Sequence, residues 1–271
     1  MTVLLHISDT HFGTEEPPVV AALQQLVRDQ RPDAVILSGD ITQRARSGQF
    51  AAARRFCDSL HVPRLLTLPG NHDIPLYNVA GRLFAPYARY KACFGDNLEP
   101  ELDFADVLVI GVNTTRPERH TDGEVSKAQV ARVVQRLQRA RAGQLRIVVT
   151  HQPACVTRPE DEKDKLHGGE MAVQAWARAG ADMVLGGHIH LPYVIDLAAR
   201  ADATPRPLHV LQAGTATSHR TRHGTPNSLN VIRWDPPSAG GQRMVRAERW
   251  DYDLADSRFE ETHVHDLKLG D

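Results

Sequence analysis

The sequence predicts an α/β protein in which a mostly parallel sheet is covered by helices. Three observations lead to this prediction. Strand and helix signals alternate through the first half of the 271 residues in the order β-α-β-α-β. Polar side chains follow the ends of five predicted strands, and in open α/β sheets that edge is where ligands bind. The last third instead carries short apolar runs separated by Pro, Gly and Asn turns, which indicates antiparallel strands.

The first half begins with a short apolar run, Val3–Ser8, which ends in polar residues and is typical of a buried strand. Pro18–Arg28 has apolar residues at helical spacing. Ser47–Leu60 is predicted to be a second helix, with Ser47 as its N-cap. The two further strands of this unit are expected at Ala34–Leu37 and Leu65–Leu68.

The middle of the chain is less regular before the alternation resumes. Within residues 74–100 we expect a helix near Ala80–Phe94, and a capping box at Ser126–Gln129 opens a helix that runs to about Ala142. A further helix is predicted over Gly169–Ala179. The buried strands of this region are Val107–Val112, Leu145–Thr150 and Met183–Leu185. The antiparallel strands of the last third are expected at Val194–Leu197, Leu208–Gln212, Leu229–Trp234 and Met244–Tyr252.

Charge and composition restrict the partners. Lys and Arg total 32 against 33 Asp and Glu. Proteins that bind nucleic acids by neutralising phosphates usually carry an excess of basic residues, which this sequence lacks. We therefore expect no nucleic-acid polymer as a partner. Three cysteines are odd in number and fit neither a disulfide framework nor a CxxC metal site. Without a signal-peptide pattern or a membrane span, we expect a cytoplasmic protein. A homo-oligomer is compatible with the sequence, which leaves the oligomeric state open.

Side chains that can bind metals follow five predicted strands. They occur as Asp-x-His, Gly-Asp, Gly-Asn-His-Asp, a single His and Gly-His-x-His, and comprise Asp9, His11, Asp40, Asn71, His151, His188 and His190. This mixed oxygen and imidazole set, without thiolates, suits divalent Mn, Fe, Co, Ni or Zn. Seven ligands are too many for one ion. The sequence therefore predicts two divalent ions that share a bridging carboxylate.

These five blocks resemble the signature of the calcineurin-like metallophosphoesterases, from residue 6 to about 190. The resemblance implies a four-layer α/β/β/α sandwich with a dinuclear centre at the C-terminal ends of the strands. It implies that Asp40 bridges the two ions, one held also by Asp9, His11 and His190 and the other by Asn71, His151 and His188. We expect one domain over residues 1–271, in which residues 191–252 complete the second sheet and residues 253–271 form a tail.

The resemblance also implies a catalytic role for His72, which follows a ligand and would face the substrate to protonate the leaving oxygen or stabilise the transition state. Asp73 is expected either to orient His72 or to cap the turn. Candidate residues for binding the substrate are Arg44, which could reach a phosphate, and Tyr77 and Asn78, which could line the pocket. The basic run His219–His223, which includes Arg220, could form another wall.

Differences from the motifs of other branches of this family restrict the class of reaction that we expect. Gly39-Asp40 is not followed by the Val-Asp-Arg-Gly of protein Ser/Thr phosphatases, and Gln43 stands where purple acid phosphatases need a ligand tyrosine. The chain looks most similar to the small bacterial class III phosphodiesterases. We therefore expect a phosphodiesterase that hydrolyses a small soluble diester, of cyclic-nucleotide or glycerophosphodiester type, by in-line attack of a metal-bridging hydroxide. The alternatives are a phosphomonoesterase, a nucleotide or UDP-sugar-lipid pyrophosphatase, and, remotely, a non-catalytic binding scaffold.

Overall fold

A computed structural model describes residues 1–200, 203–222, 224–238 and 241–270. The strands are, in chain order, β1 Thr2–Ile7, β2 Ala34–Leu37, β3 Leu65–Thr67, β4 Glu101–Asp103, β5 Val107–Gly111, β6 Leu145–Val149, β7 Met183–Gly186, β8 Tyr193–Asp196, β9 His209–Gln212, β10 Ser228–Trp234, β11 Met244–Asp253 and β12 Arg258–Lys268. The α-helices are α1 Pro17–Gln30, α2 Ser47–Ser59, α3 Val79–Phe84, α4 Ala88–Phe94, α5 Lys127–Gln138 and α6 Gly169–Arg178. Short 3-10 turns cover Asn71–Asp73, Pro159–Asp164 and Leu197–Ala199.

The strands form two six-stranded mixed sheets within the described part of the chain. The first has the order β12-β11-β10-β1-β2-β3, and the second has the order β4-β5-β6-β7-β9-β8. The strands β1, β2 and β3 are parallel, as are β5, β6, β7 and β9. Their C-terminal ends therefore meet along one edge of each sheet, which is the edge that the predicted ligands follow.

Three buried cores show that the layers are helix, sheet, sheet and helix. Along β1 and β2, successive side chains alternate between faces: Leu5 and Val35 belong to a core shared with α1 and α2, whereas Leu4 and Ile36 belong to the core between the sheets. A third core joins α5 and α6 to the outer face of the second sheet, around Trp176. The predicted four-layer α/β/β/α class is confirmed.

Proline divides the helix that was expected near Ala80–Phe94. The structure has two short helices, α3 and α4, and Ala85 between them is not helical (φ −151°, ψ 56°). Pro86 follows Ala85, and a proline disfavours the helical conformation of the residue before it and removes a backbone donor. The N-cap of α2 is also displaced by one residue, because Arg46 is extended and Ser47 is already helical.

The last third differs from the expectation in its pairing. Of the residues expected to complete one sheet, β8 and β9 join the second sheet, and β9 lies parallel to β7. In contrast, β10 pairs antiparallel with β1 and extends the first sheet. The expected tail beyond residue 253 contains β12, which pairs with β11 over its whole length. Its mostly exposed, polar side chains gave little strand signal, because an edge strand is held by backbone hydrogen bonds.

Among the described residues, no helix has the length and apolar character needed to cross a membrane.

Candidate metal centre

The turns that follow the parallel strands have an unusual backbone. Five of the seven predicted ligands have a positive φ, which non-glycine residues rarely adopt: Asp9 (53°), His11 (43°), Asp40 (47°), His188 (76°) and His190 (57°). Such strained residues persist where the surrounding structure enforces them, and they concentrate at functional sites. The left-handed turns direct these side chains toward the space beyond the strand ends.

One group of predicted ligands surrounds Asp9. The His190 Nε2 atom lies 3.3 Å from Asp9 Oδ1, and the His11 Nε2 atom lies 3.7 Å from the same oxygen. The two imidazole Nε2 atoms are 3.1 Å apart. Since the donor atoms of these three side chains lie within 4.8 Å of one another, they can reach a single ion.

A second group surrounds His151 and is linked to the first by Asp40. The His151 Nε2 atom lies 3.3 Å from both Asp40 Oδ1 and Asn71 Oδ1. The donor atoms of Asp40, His151 and His188 also lie within 4.8 Å of one another. The other Asp40 oxygen, Oδ2, lies 3.8 Å from His11 Nε2 in the first group. The Asp40 carboxylate therefore stands between the two groups, where a bridging ligand is required.

Backbone carbonyls fix the orientation of three histidine rings. The Nδ1 atom of His151 donates to the Ser38 carbonyl (2.9 Å), and that of His190 donates to the carbonyl of Arg220. The Nδ1 atom of His72 donates to the carbonyl of Gln43 (2.9 Å). A carbonyl only accepts, so Nδ1 carries a proton in each ring, and Nε2 is the nitrogen that faces the site.

Two glycines allow the turns to approach each other closely. A Cβ atom on Gly70 would overlap the backbone nitrogen and the carboxylate of Asp40, and one on Gly187 would overlap Ser8 and the Asp9 carboxylate. Glycine is therefore required in the turns before Asn71 and His188, where the ligand-bearing loops of the sheets contact each other.

Burial and the two carboxylates shift the pKa values of this centre in opposite directions. Burial lowers the pKa of His11 to about 3 and that of His188 to about 4. Burial also opposes protonation of His151, but the charge of Asp40 outweighs it and raises the pKa of His151 to about 9. For Asp40 itself, burial favours the neutral form, yet the charge on His151 holds the pKa well below its usual range. The carboxylates thus remain ionised and require positive charge nearby.

Unpartnered buried atoms show that the centre fits metal ions. The Oδ1 atom of Asp9 and the Nδ1 atom of His188 are buried and have no hydrogen-bond partner among the described residues, although a buried polar atom without a partner is costly. Both atoms belong to the ligand groups described above. An ion on each side of Asp40 would satisfy them, and the mixed carboxylate, amide and imidazole set suits borderline divalent metals.

The two predicted catalytic residues, His72 and Asp73, make different contacts. His72 lines the cavity beside Asp40, and its backbone N–H donates to Asp40 Oδ1 (2.8 Å). Asp73 has no hydrogen bond with His72, because its buried carboxylate accepts from the backbone N–H groups of Ile41, Thr42 and Gly70 at 2.8 to 3.0 Å. Of the two roles expected for Asp73, these contacts fit the turn cap and not the orientation of His72. Asp73 caps the turns that carry Asp40 and Asn71, and the Gln43 carbonyl orients His72 instead.

Of the five predicted substrate residues, two lie near the site. The Nη1 atom of Arg220 is 3.3 Å from His72 Nε2, and Arg44 lines a side cavity of about 160 Å³ that also borders His72. Asn78 instead caps α3 by accepting from the Gly81 N–H group. Tyr77 and His219 are exposed and line neither cavity, and His223 lies outside the described residues. Local sequence order could not show which side chains of a loop turn inward.

The main cavity, which is the space beside the candidate metal centre, has a wall that the sequence patterns did not predict. A space of about 440 Å³ opens above Asp40, His72 and His188, and its far side includes the acidic segment Pro159–Asp164. Arg222 forms a two-pronged ion pair with Asp161 there, at 2.8 and 2.9 Å. The run of charges in residues 159–164 was the available signal, but a charge run is usually a solvated surface.

The fold and the paired ligand groups define a metallophosphoesterase. The family model for the calcineurin-like phosphoesterases matches residues 2–192, and the chain belongs to that family. Among characterised relatives, it is 35% identical over 111 residues to the glycerophosphodiester phosphodiesterase GpdQ of Enterobacter lignolyticus (strain SCF1). That alignment covers 36% of this chain and 33% of the relative, so it spans only about a third of the relative's length.

Solved structures of low sequence identity share the fold. The purple acid phosphatase PPD1 from yellow lupin has a TM-score of 0.68 at 12% identity, over 97% of this chain and 53% of the phosphatase. A zinc complex of Vps29 from Entamoeba histolytica has a TM-score of 0.51 at 12% identity, over 98% of this chain and 99% of Vps29. At these identities the similarity shows the fold alone.

Proposed function

We propose that this protein is a dinuclear metal-dependent phosphodiesterase that hydrolyses a small phosphodiester. The observation that carries the proposal is the position of Asp40 between two groups of buried ligands, which is the arrangement that two ions sharing a carboxylate require. Two such ions would bind the phosphoryl group and lower the pKa of a bound water, so that hydroxide forms at neutral pH.

In the proposed reaction, one set of side chains holds the metal ions and His72 interacts with the substrate. Asp9, His11 and His190 would hold one ion, Asn71, His151 and His188 the other, and Asp40 both. The Nε2 atom of His72 faces the cavity and Arg220, because its Nδ1 proton is held by Gln43. With a proton on Nε2 as well, His72 would donate a hydrogen bond to an ester oxygen and stabilise the charge that develops there.

The size of the cavity and the matched relative favour a diester. A space of about 440 Å³ leaves room beyond the ligands for a second ester group. The relative that matches part of this chain is a glycerophosphodiester phosphodiesterase. We propose a glycerophosphodiester or a cyclic nucleotide as the substrate, and manganese or iron as the metals, since oxygen and imidazole ligands suit both. Arg44 beside the side cavity is proposed as a further contact for the substrate.

The deciding experiment assays metal-stripped protein with and without Mn²⁺ on bis-p-nitrophenyl phosphate and p-nitrophenyl phosphate. We expect turnover that depends on Mn²⁺ and prefers the diester. Asn71→Ala should lose metal and activity together. His72→Ala should retain both ions while kcat falls about 100-fold, because it removes transition-state stabilisation alone.

Other outcomes would redirect the proposal. Preference for the monoester would identify a phosphomonoesterase. If two ions bind and neither ester is hydrolysed, hydrolysis of a nucleotide or UDP-sugar-lipid pyrophosphate would identify a pyrophosphatase, and failure on those as well would leave a binding scaffold. Glycerophosphodiesters and cyclic nucleotides should follow as substrates once the diester preference is established.

A further inference from the structure

Arg220 carries a positive charge that no carboxylate compensates in the part of the chain that the structure describes. Within the described residues its guanidinium has no ion pair, and its Nη1 atom lies beside the neutral side-chain oxygen of Gln43 (2.9 Å). The same atom is 3.3 Å from His72 Nε2 and 3.3 Å from His11 Nδ1. Arg222, two residues on, differs because its charge is taken up by the ion pair with Asp161.

The remaining donors of Arg220 are free to bind an anion. Its Nε and Nη2 groups have no hydrogen-bond acceptor within the described part of the chain, and the residue lines the main cavity. A guanidinium presents its N–H groups in a planar fork that matches two oxygens of a phosphate. A half-buried cation with free donors, facing the candidate metal centre, fits a phosphoryl oxygen.

Gln43 holds both Arg220 and His72. Its side-chain oxygen accepts from Arg220, and its backbone carbonyl accepts from His72 Nδ1 (2.9 Å). A glutamate here would bind the guanidinium more strongly but would cancel its charge, whereas a neutral amide fixes its position and leaves the charge available. This contrast gives a chemical reason for glutamine at position 43.

We propose that Gln43 is a positioning residue that holds the uncompensated Arg220 guanidinium over the metal centre, where Arg220 binds a non-bridging oxygen of the phosphoryl group. The inference rests on the proposed function, which it deepens by assigning the anion contact. Gln43 acts through Arg220 and His72 and does not itself touch the substrate.

The test is the binding of inorganic phosphate to the Mn²⁺-loaded protein, measured by titration calorimetry after the metal content of each variant has been verified. Arg220→Ala should weaken phosphate binding about 10- to 100-fold, the range expected for a charge-assisted contact. Arg220→Lys should restore part of the affinity. Gln43→Glu should weaken binding about tenfold, whereas Gln43→Ala should have a smaller effect because the charge of Arg220 is retained.

Two control variants make similar chemical changes at other positions and so test whether the position matters. Arg258→Ala removes an exposed arginine from β12, and Gln135→Glu adds a carboxylate to the exposed face of α5; both should leave phosphate affinity unchanged. Added guanidinium should restore phosphate affinity to Arg220→Ala, which a purely structural defect would not allow. Unchanged affinity in Arg220→Ala, or equal affinities in Gln43→Glu and wild type, would overturn the proposal.

The readout also separates this inference from the proposed function. Phosphate titration needs no turnover, so it reports on Arg220 even if both nitrophenyl esters prove inert. Metal-dependent hydrolysis that is indifferent to Arg220 and Gln43 would leave the phosphoesterase function intact and remove only this assignment.

Discussion

At the scale of single residues, protonation and metal binding compete for the same atoms. In the metal-free centre, burial acts against the charged form of His151, but the charge of Asp40 raises its pKa to about 9. A similar balance raises the pKa of His190, whose burial is outweighed by Asp9. A metal ion needs the unprotonated imidazole, so the ion that binds His151 must displace a proton at neutral pH.

We therefore predict that the apparent affinity for Mn²⁺ rises with pH. The rise should extend to about pH 9, where His151 loses its proton when no metal is bound. Calorimetric titrations at several pH values, repeated in buffers with different ionisation enthalpies, would measure both the affinity and the protons released. A pH-independent affinity without proton release would contradict this prediction.

The second prediction at this scale concerns Asp73. Asp73→Ala removes the acceptor of three backbone N–H groups and of the Thr42 hydroxyl in a buried turn. Each unsatisfied buried donor is costly, so we expect the free energy of unfolding to fall by about 2–4 kcal/mol. Urea unfolding measures this loss. Normal stability combined with a reduced kcat would instead restore a catalytic role for Asp73.

At the scale of elements, the strand-end turns determine the site. Those turns are short, have left-handed residues at Asp9 and Asp40, and need glycine where they meet. The strands, the capping box of α5 and the ligand blocks could be predicted from sequence because each depends on local pattern. Pro86 was a local signal that the prediction of one helix near Ala80–Phe94 did not use, and it lies between α3 and α4.

Gly70→Ala should test the close contact of the turns. The added Cβ would overlap the Asp40 backbone and carboxylate, so we expect loss of at least one bound metal and reduced stability. Metal analysis and thermal unfolding of the purified variant measure both effects. The control is Gly48→Ala in α2, where nothing lies within 4 Å of the added Cβ and the change should stabilise the helix by up to about 1 kcal/mol. Full metal occupancy in Gly70→Ala would refute the steric argument.

At the scale of the whole molecule, the metal centre lies where loops from both sheets meet. Asp9 and Asp40 follow strands of the first sheet, and His151 and His188 follow strands of the second. The His188 backbone N–H donates to Asp9 Oδ2 (2.9 Å), so this hydrogen bond links loops of the two sheets directly. Ions bound here would add further links between the sheets, at a place where two buried carboxylates repel each other.

Metal removal should therefore lower the stability of the whole fold. Ions that bind only the folded state stabilise it by about 2.7 kcal/mol when their free concentration is a hundred times the dissociation constant. We expect a chelator to lower the Tm by several degrees and Mn²⁺ to restore it. Calorimetric scans with and without chelator provide the measurement, with Asp40→Asn as the variant whose Tm should no longer respond to Mn²⁺. An equal response in both proteins would place the stabilising ions elsewhere.

The sequence by itself predicted the α/β class and the seven candidate ligands, because these depend on strand periodicity and on motifs within a few residues. The resemblance to a known family implied how those ligands divide around Asp40. Only the tertiary structure decided the partners of Asp73, the contact between Gln43 and Arg220, the lack of an ion pair for Arg220 among the described residues and the acidic wall at 159–164. These features join residues far apart in the chain, such as Gln43 and Arg220. Their geometry follows from how the two sheets pack, which no local pattern specifies.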